Sequence, residues 1–282
     1  MPLTRALEEH EVSPELRRVY GDVRASFGLP FVPTLFKLAA SVPDYLVLLW
    51  NDLGPVVRSQ EFQAAARALH ELISSTVISN GWRFTDQAKT LSSQKFTASD
   101  ISNFALIAST FERAAVDLAL FARLAQRGYS GGQKGKISSG KQIAASAQLL
   151  TLHVPPENDV GLRTWLLYGD IKRGLGSKHV FSFFRILSPF PAYLSAVWME
   201  TKKLATQPQF QRARDEMNKR TASLLVGLPV RDHRAIGKRI SPDDWRNVEE
   251  TVDDSARLLP QMALINSVWR RSFATAFQII AA

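Results

Sequence analysis

The chain has 282 residues, 45% apolar and 22% charged, which is the composition of an ordinary globular protein with a substantial core. It contains no cysteine, and this excludes disulfides, thiolate metal sites, cysteine nucleophiles and thiol peroxidase chemistry. The formal charge of +9 is uneven, because residues 1–127 carry 13 Lys and Arg against 13 Asp and Glu and all the excess positive charge falls after residue 127.

The N-terminus, MPLTRALEEHEV, carries three glutamates where an export signal would be basic and then apolar. The uncharged run Ile186 to Met199 has 14 residues, short of the ~18 needed to cross a bilayer. A cytoplasmic protein without a membrane span is the expectation.

Helical periodicity dominates in chain order. Ser13-Pro14 reads as an N-cap followed by proline at the first helical position, Leu16, Val19, Tyr20, Val23 and Phe27 recur at spacings of three and four, and Gly28 is the stop. Pro43 opens a helix through Trp50, and Phe62, Ala66, Leu69, Ile73 and Val77 line one face of the next. Thr97 and Asp100 are spaced as a capping box for a long helix ending at Gly128. Residues 128–142 hold five glycines and three lysines, which reads as a solvated linker. Within it GKISSGKQ approaches a phosphate-binding loop, but Gln142 replaces the hydroxyl residue and a helix precedes it, so no nucleotide site is read. Helices resume over Leu162 to Gly174, Pro191 to Ala205, Gln209 to Val226 and, after a Ser241-Pro242 start, Arg246 to Ile280 with an interruption at Pro260. No window alternates as a strand would.

The two halves are written alike. LYGDIKRGLGSKHVFSFFRILSPFPAYLSAVW, residues 167–198, aligns without a gap on VYGDVRASFGLPFVPTLFKLAASVPDYLVLLW, residues 19–50, at an offset of 148. Tyr20, Gly21, Asp22, Gly28, Pro43 and Trp50 meet Tyr168, Gly169, Asp170, Gly176, Pro191 and Trp198. The fold expected is all-α: two tandem homologous helical repeats, 1–127 and 161–282, joined by a linker over 128–160 and packed on each other as a pseudo-dimer.

The tyrosine-acid pair, the P-aromatic-V, the P-x-Y-L and the tryptophan of this segment resemble the repeat start of the helical 2-haloacid dehalogenases that accept both enantiomers. More distantly the unit looks like the helical repeat of alkylhydroperoxidase-D-type proteins, without their paired cysteines. The resemblance implies an active site between the repeats, where an aspartate activates the water that displaces halide from C2. Eight positions before Pro191, that place is held by Phe183, and a family asparagine falls at Ala115. Phe31 matches an aromatic residue of the pocket, and ungapped pairing sets Phe31 opposite His179 and Thr34 opposite Ser182.

Phenylalanine cannot take a proton, and general-base assistance contributes roughly 10²-fold to 10⁴-fold, so the family reaction should be severely impaired. His179, four residues before Phe183 and on its face if the turn is helical, is the candidate substitute base. Phe31, Thr34, Ala115, Ser182 and Phe183 are the candidate substrate-binding residues, and Lys178 and Arg185 are nearby cations explained as readily by surface solvation. If Phe183 borders a cavity, Phe183→Asp should restore an acid without unfolding the protein. The five histidines, His10, His70, His153, His179 and His233, lack metal-ligand spacing, so neither metal nor cofactor is expected. A small organic acid is the expected partner, nucleic acid is not, and a homodimer is left open. The other reading is a non-catalytic helical module whose basic second half, with Arg212, Arg214, Lys219 and Arg220, binds an anionic macromolecule.

Overall fold

The computed structural model describes residues 5–138 and 154–273. Its elements are α1 (Pro14–Phe27), α2 (Thr34–Ala39), α3 (Pro43–Val57), α4 (Gln60–Ser79), α5 (Gln87–Ser93), α6 (Ala98–Tyr129), α7 (Leu162–Leu175), α8 (Ser182–Arg185), α9 (Pro191–Ala205), α10 (Pro208–Ser223), α11 (Arg234–Gly237) and α12 (Pro242–Arg271). The architecture is all-α, with no strand among the described residues.

Local chemistry sets the boundaries. Ser13 accepts a hydrogen bond from the Leu16 amide and Pro14 occupies the first turn of α1, while Gly28 closes it in the left-handed conformation at φ 59°. The capping box at Thr97 and Asp100 is formed in full at the start of α6. Both ends of α7 lie 148 residues beyond those of α1, and both ends of α9 lie 148 beyond those of α3. The tryptophan at the top of each pair donates to the aspartate of the YGD sequence, Trp50 Nε1 to Asp22 at 2.6 Å and Trp198 Nε1 to Asp170 at 2.7 Å.

The longest helices, α6 and α12, pack along each other and carry the centre of one continuous core. Here α12 departs from the sequence reading, for it runs unbroken through Pro260. Proline removes an amide and so orphans the carbonyl four residues earlier. That carbonyl, Ala256 O, faces the Arg123 Nη2 of α6 at 3.4 Å, so packing against α6 replaces part of what the proline removes. The far end of the reading, beyond residue 273, lies outside the described residues.

The linker also differs over its first part. Gly128 is still helical, and Gln133 pairs with Val230 in an antiparallel bridge, N to O at 2.7 Å and 2.9 Å, while Arg127 and the Gln133 side chain hold the Leu225 carbonyl. Gln133 is therefore docked on the second half, whereas residues 134–138 are exposed and Ser138 is held by Glu61 of α4. The phosphate-loop-like stretch is described only as far as residue 138.

Candidate functional site

Phe31, Thr34, Ala115, His179, Ser182 and Phe183 all line one cavity of about 90 Å³, opening between α2 and α6 from the first half and residues 177–183 and α12 from the second. Most of its wall is apolar. Phe31 stacks on Phe111 with centroids 4.9 Å apart, and Phe111 meets Phe183 edge to face at 6.1 Å. Ala115 presents no polar group, and Leu118, Leu259 and Met262 continue the surface.

Thr34 Oγ1 lies 2.8 Å from Ser182 Oγ, so two residues 148 apart touch across the cavity edge. Arg185 Nη1 points at Thr34 Oγ1 from 3.5 Å. Guanidinium donates only, and the Thr34 oxygen has lone pairs enough to accept from Arg185 and from Ser182, so either hydroxyl can donate to the other and one hydroxyl proton of the pair is left over. The chain of donors ends where an anionic oxygen could be received.

Arg185 itself is not the surface cation of the sequence reading. It is 1% exposed, donates from Nε to Pro155 O at 2.7 Å, and lies 3.5 Å from Glu8, which also pairs with Lys37, the residue 148 positions before Arg185. Burial lowers its affinity for the proton, and Glu8 opposes that loss. Lys178 is exposed and engaged by Glu250.

His179 stands outside any helix, since α8 begins only at Ser182. The helical i, i+4 relation to Phe183 is therefore absent, and the two side chains share the cavity without sharing a helix face. Reciprocal bonds with Ser177 fix the backbone, the Ser177 hydroxyl donating to His179 O and accepting from His179 N. Burial pushes the imidazole pKa below its ordinary value, with Glu157 and Asp254 pulling the other way, so the ring is held neutral at pH 7. A neutral imidazole is the form able to accept a proton.

Phe183 borders the cavity but also fills space behind it. It is 2% exposed and packs on Phe184 at 4.7 Å and Trp269 at 4.9 Å. The expectation that an aspartate would be tolerated there meets this second role, which the sequence did not indicate.

Polar residues of α12 were missed: Asn247, Glu250, Thr251, Asp254 and Ser255 also line the cavity, and Asn266 is the buried one. Asn266 of α12 is buried in the cavity wall, donates Nδ2 to Phe111 O at 3.1 Å, and leaves Oδ1 without a hydrogen-bond partner. The signal was an amide inside the apolar run MALINSVW, where a buried polar group needs a partner. Among the described residues no group of three or more His, Asp or Glu side chains could hold a metal ion, and no helix is long and apolar enough to cross a membrane.

The arrangement defines a class of all-helical protein with a mainly apolar pocket lined by α2, α6, α8 and α12, entered by a few hydroxyl, amide and imidazole groups. The family described as halocarboxylic acid dehydrogenase DehI matches residues 30–184, more than half of the chain, and the chain belongs to that family. It is similar to the (R)-2-haloacid dehalogenase of Pseudomonas putida, 22% identical over 252 residues, covering 86% of this chain and 80% of that one. The (R)-2-haloacid dehalogenase of Rhizobium sp. (strain NHG3) is 21% identical over 239 residues, 81% of this chain and 90% of the other. Among solved structures, a D-2-haloacid dehalogenase mutant superposes with a TM-score of 0.85 at 18% identity over 96% of both chains. A mutant bound to D-2-CPA gives 0.83 at 18% identity, also over 96% of both. These likenesses establish the fold.

Proposed function

We propose that the two halves, 1–127 and 161–282, are copies of one helical unit packed as a pseudo-dimer, and that the pocket between them binds a small 2-substituted organic acid without a cofactor. The observation that carries this is the Thr34–Ser182 pair, which joins equivalent positions of the halves at the cavity edge and leaves one hydroxyl proton of the two to be given to a carboxylate. The apolar wall of Phe31, Phe111 and Phe183 suits the alkyl and halogen side of such an acid. Membership of the family and the names of its 2-haloacid dehalogenase relatives support this substrate class.

Hydrolysis of the carbon–halogen bond needs a base for the attacking water, and Phe183 offers none. His179 is the neutral group of the pocket best placed to take that proton, while Asn266 Oδ1 can hold the water through a hydrogen bond. Wild-type protein incubated with either enantiomer of 2-chloropropionate is expected to release no halide above background, while calorimetry shows saturable binding. Ser182→Ala should weaken that binding about tenfold, the worth of one charge-assisted hydrogen bond. Halide release at ordinary enzyme rates, abolished by His179→Ala, would instead establish His179 as a working base. In that case the rate should rise with pH through a midpoint below the usual histidine value and then level off, because burial favours the unprotonated ring. Absence of binding by both enantiomers would overturn the reading. The anionic-macromolecule reading is weakened at two of its four cations, since Arg214 and Arg220 of α10 are paired with Asp215 and Glu216.

A further inference from the structure

Behind the Thr34–Ser182 pair lies a buried charge cluster that is not balanced within itself. Lys37 follows Thr34 by three residues in α2, and Arg185 follows Ser182 by three in α8, so each short helix brings a hydroxyl to the cavity edge and a cation behind it. Neither cation lines the cavity. Both turn to one carboxylate, Glu8, whose Oε2 pairs with Lys37 and whose Oε1 stands 3.5 Å from Arg185 Nη2. The side chains of Lys37 and Arg185 are 8% and 2% exposed, so water and salt screen them little. Burial lowers the proton affinity of both, and Glu8 opposes that loss in each.

The 148-residue offset shows where the imbalance arises. Glu9 and Arg24 correspond to Glu157 and Lys172, and both pairs are formed, at 3.0 Å and 2.9 Å. Lys37 corresponds to Arg185, but Glu8 corresponds to Pro156, so two cations are left to share one carboxylate. The neighbouring charges are matched one to one. Glu11 pairs with Arg5, and the charged residues of the cavity lining are engaged as Lys178 with Glu250 and Asp254 with Arg257. One positive charge is therefore in excess beside Thr34 Oγ1, which Arg185 Nη1 faces at 3.5 Å.

A buried charge short of a counter-ion is costly, and an anion seated in the cavity supplies one. We propose that Lys37 and Arg185 are specificity-determining residues of this pocket, which without touching the ligand make it select a singly charged carboxylate over the neutral molecule of the same shape. The excess charge reaches the ligand through whichever hydroxyl of Thr34 and Ser182 is free to donate, since a hydroxyl that accepts from a cation, directly or through its neighbour, is the stronger donor. This rests on the reading of the pocket as an acid site and adds which buried groups set the preference.

The test is calorimetric titration of the full chain at pH 7 with each enantiomer of 2-chloropropionate and of 2-chloropropionamide, which has the same shape without the charge. Wild type is expected to favour the acid over the amide by roughly tenfold or more. Lys37→Met keeps the stem and removes one cation, leaving Glu8 and Arg185 balanced, and should lower that ratio about fivefold or more by weakening the acid alone. Glu8→Gln leaves two cations unanswered and should raise the ratio by about as much. The opposite signs separate charge from packing, because a purely structural role would weaken both compounds in both variants, and either variant decides the matter if the other fails to fold. A ratio unchanged or shifted the other way in a folded variant would overturn the proposal. Equal binding of acid and amide by wild type would overturn it too while leaving the pocket a small-molecule site, whereas binding of neither would overturn the acid-site reading and this selectivity with it.

Discussion

Replacing Phe183 with alanine is expected to destabilise the protein by about 3–5 kcal/mol, the usual cost of removing a buried aromatic ring. Three rings, Phe111, Phe184 and Trp269, lose a partner at once, and the cavity between the halves grows. Phe183→Asp should cost more than Phe183→Ala, because a carboxylate placed at a 2% exposed position leaves water without gaining a donor. Its pKa would be raised, so any base it supplies would act only at elevated pH and only in the fraction still folded. Urea denaturation of the two variants against wild type measures both steps. An aspartate variant within about 1 kcal/mol of wild type would mean that the ring contacts carry little weight and that the position is a hydrated edge of the pocket.

The second large effect concerns a glycine that seems ordinary in sequence. Gly128 of α6 lies so close to His233 that an added Cβ would meet Nδ1 at 2.3 Å and Cε1 at 2.6 Å. His233 is fully buried, bonds to Asp52 through Nε2 at 2.8 Å, and donates its amide to Gly128 O at 2.8 Å, tying the segment after α10 to α3 and α6. Gly128→Ala must push the imidazole away from Asp52. Overpacking and a broken buried pair together should cost about 2–5 kcal/mol. The matched control is Gly21→Ala in α1, where nothing lies within 4 Å of the new methyl group. That change should stabilise by about 0.5–1 kcal/mol, the ordinary gain of alanine over glycine in a helix. Equal effects of the two substitutions on the denaturation midpoint would show that the His233 contact does not constrain the chain.

The helices were legible because their ends are written in local chemistry. Pro14, Pro43, Pro191 and Pro242 each open a helix at or next to the position expected, and Gly28 and Gly176 close α1 and α7 in the left-handed conformation. Four short helices, α2, α5, α8 and α11, carry too few turns to show a period. Pro260 misled because a helix can run through a proline where tertiary packing holds it, and the Arg123 that reaches the orphaned carbonyl lies 137 residues away in sequence. The site residues were placed by matching the two halves rather than by their own chemistry. For that reason Asn266 and the Arg185–Thr34–Ser182 chain stayed hidden, since each depends on which side chains the packing brings together. A cavity lined by Glu112, Asp117, His70 and Arg270 was out of reach for the same reason, since these residues come from three helices and no spacing in the sequence links them.

The pairing of α6 with α12 has a consequence for how the chain acquires its structure. The helices themselves form from contacts within a few residues, but the face of α6 that carries Phe111, Ala115 and Leu118 borders residues of α12 that are synthesised more than a hundred residues later. While the first half emerges from the ribosome, this apolar helix face has no mate, and its burial must wait for α12. Closing so long a loop costs little more entropy than closing a shorter one, yet it delays the step, and the exposed interval is when association with other chains competes.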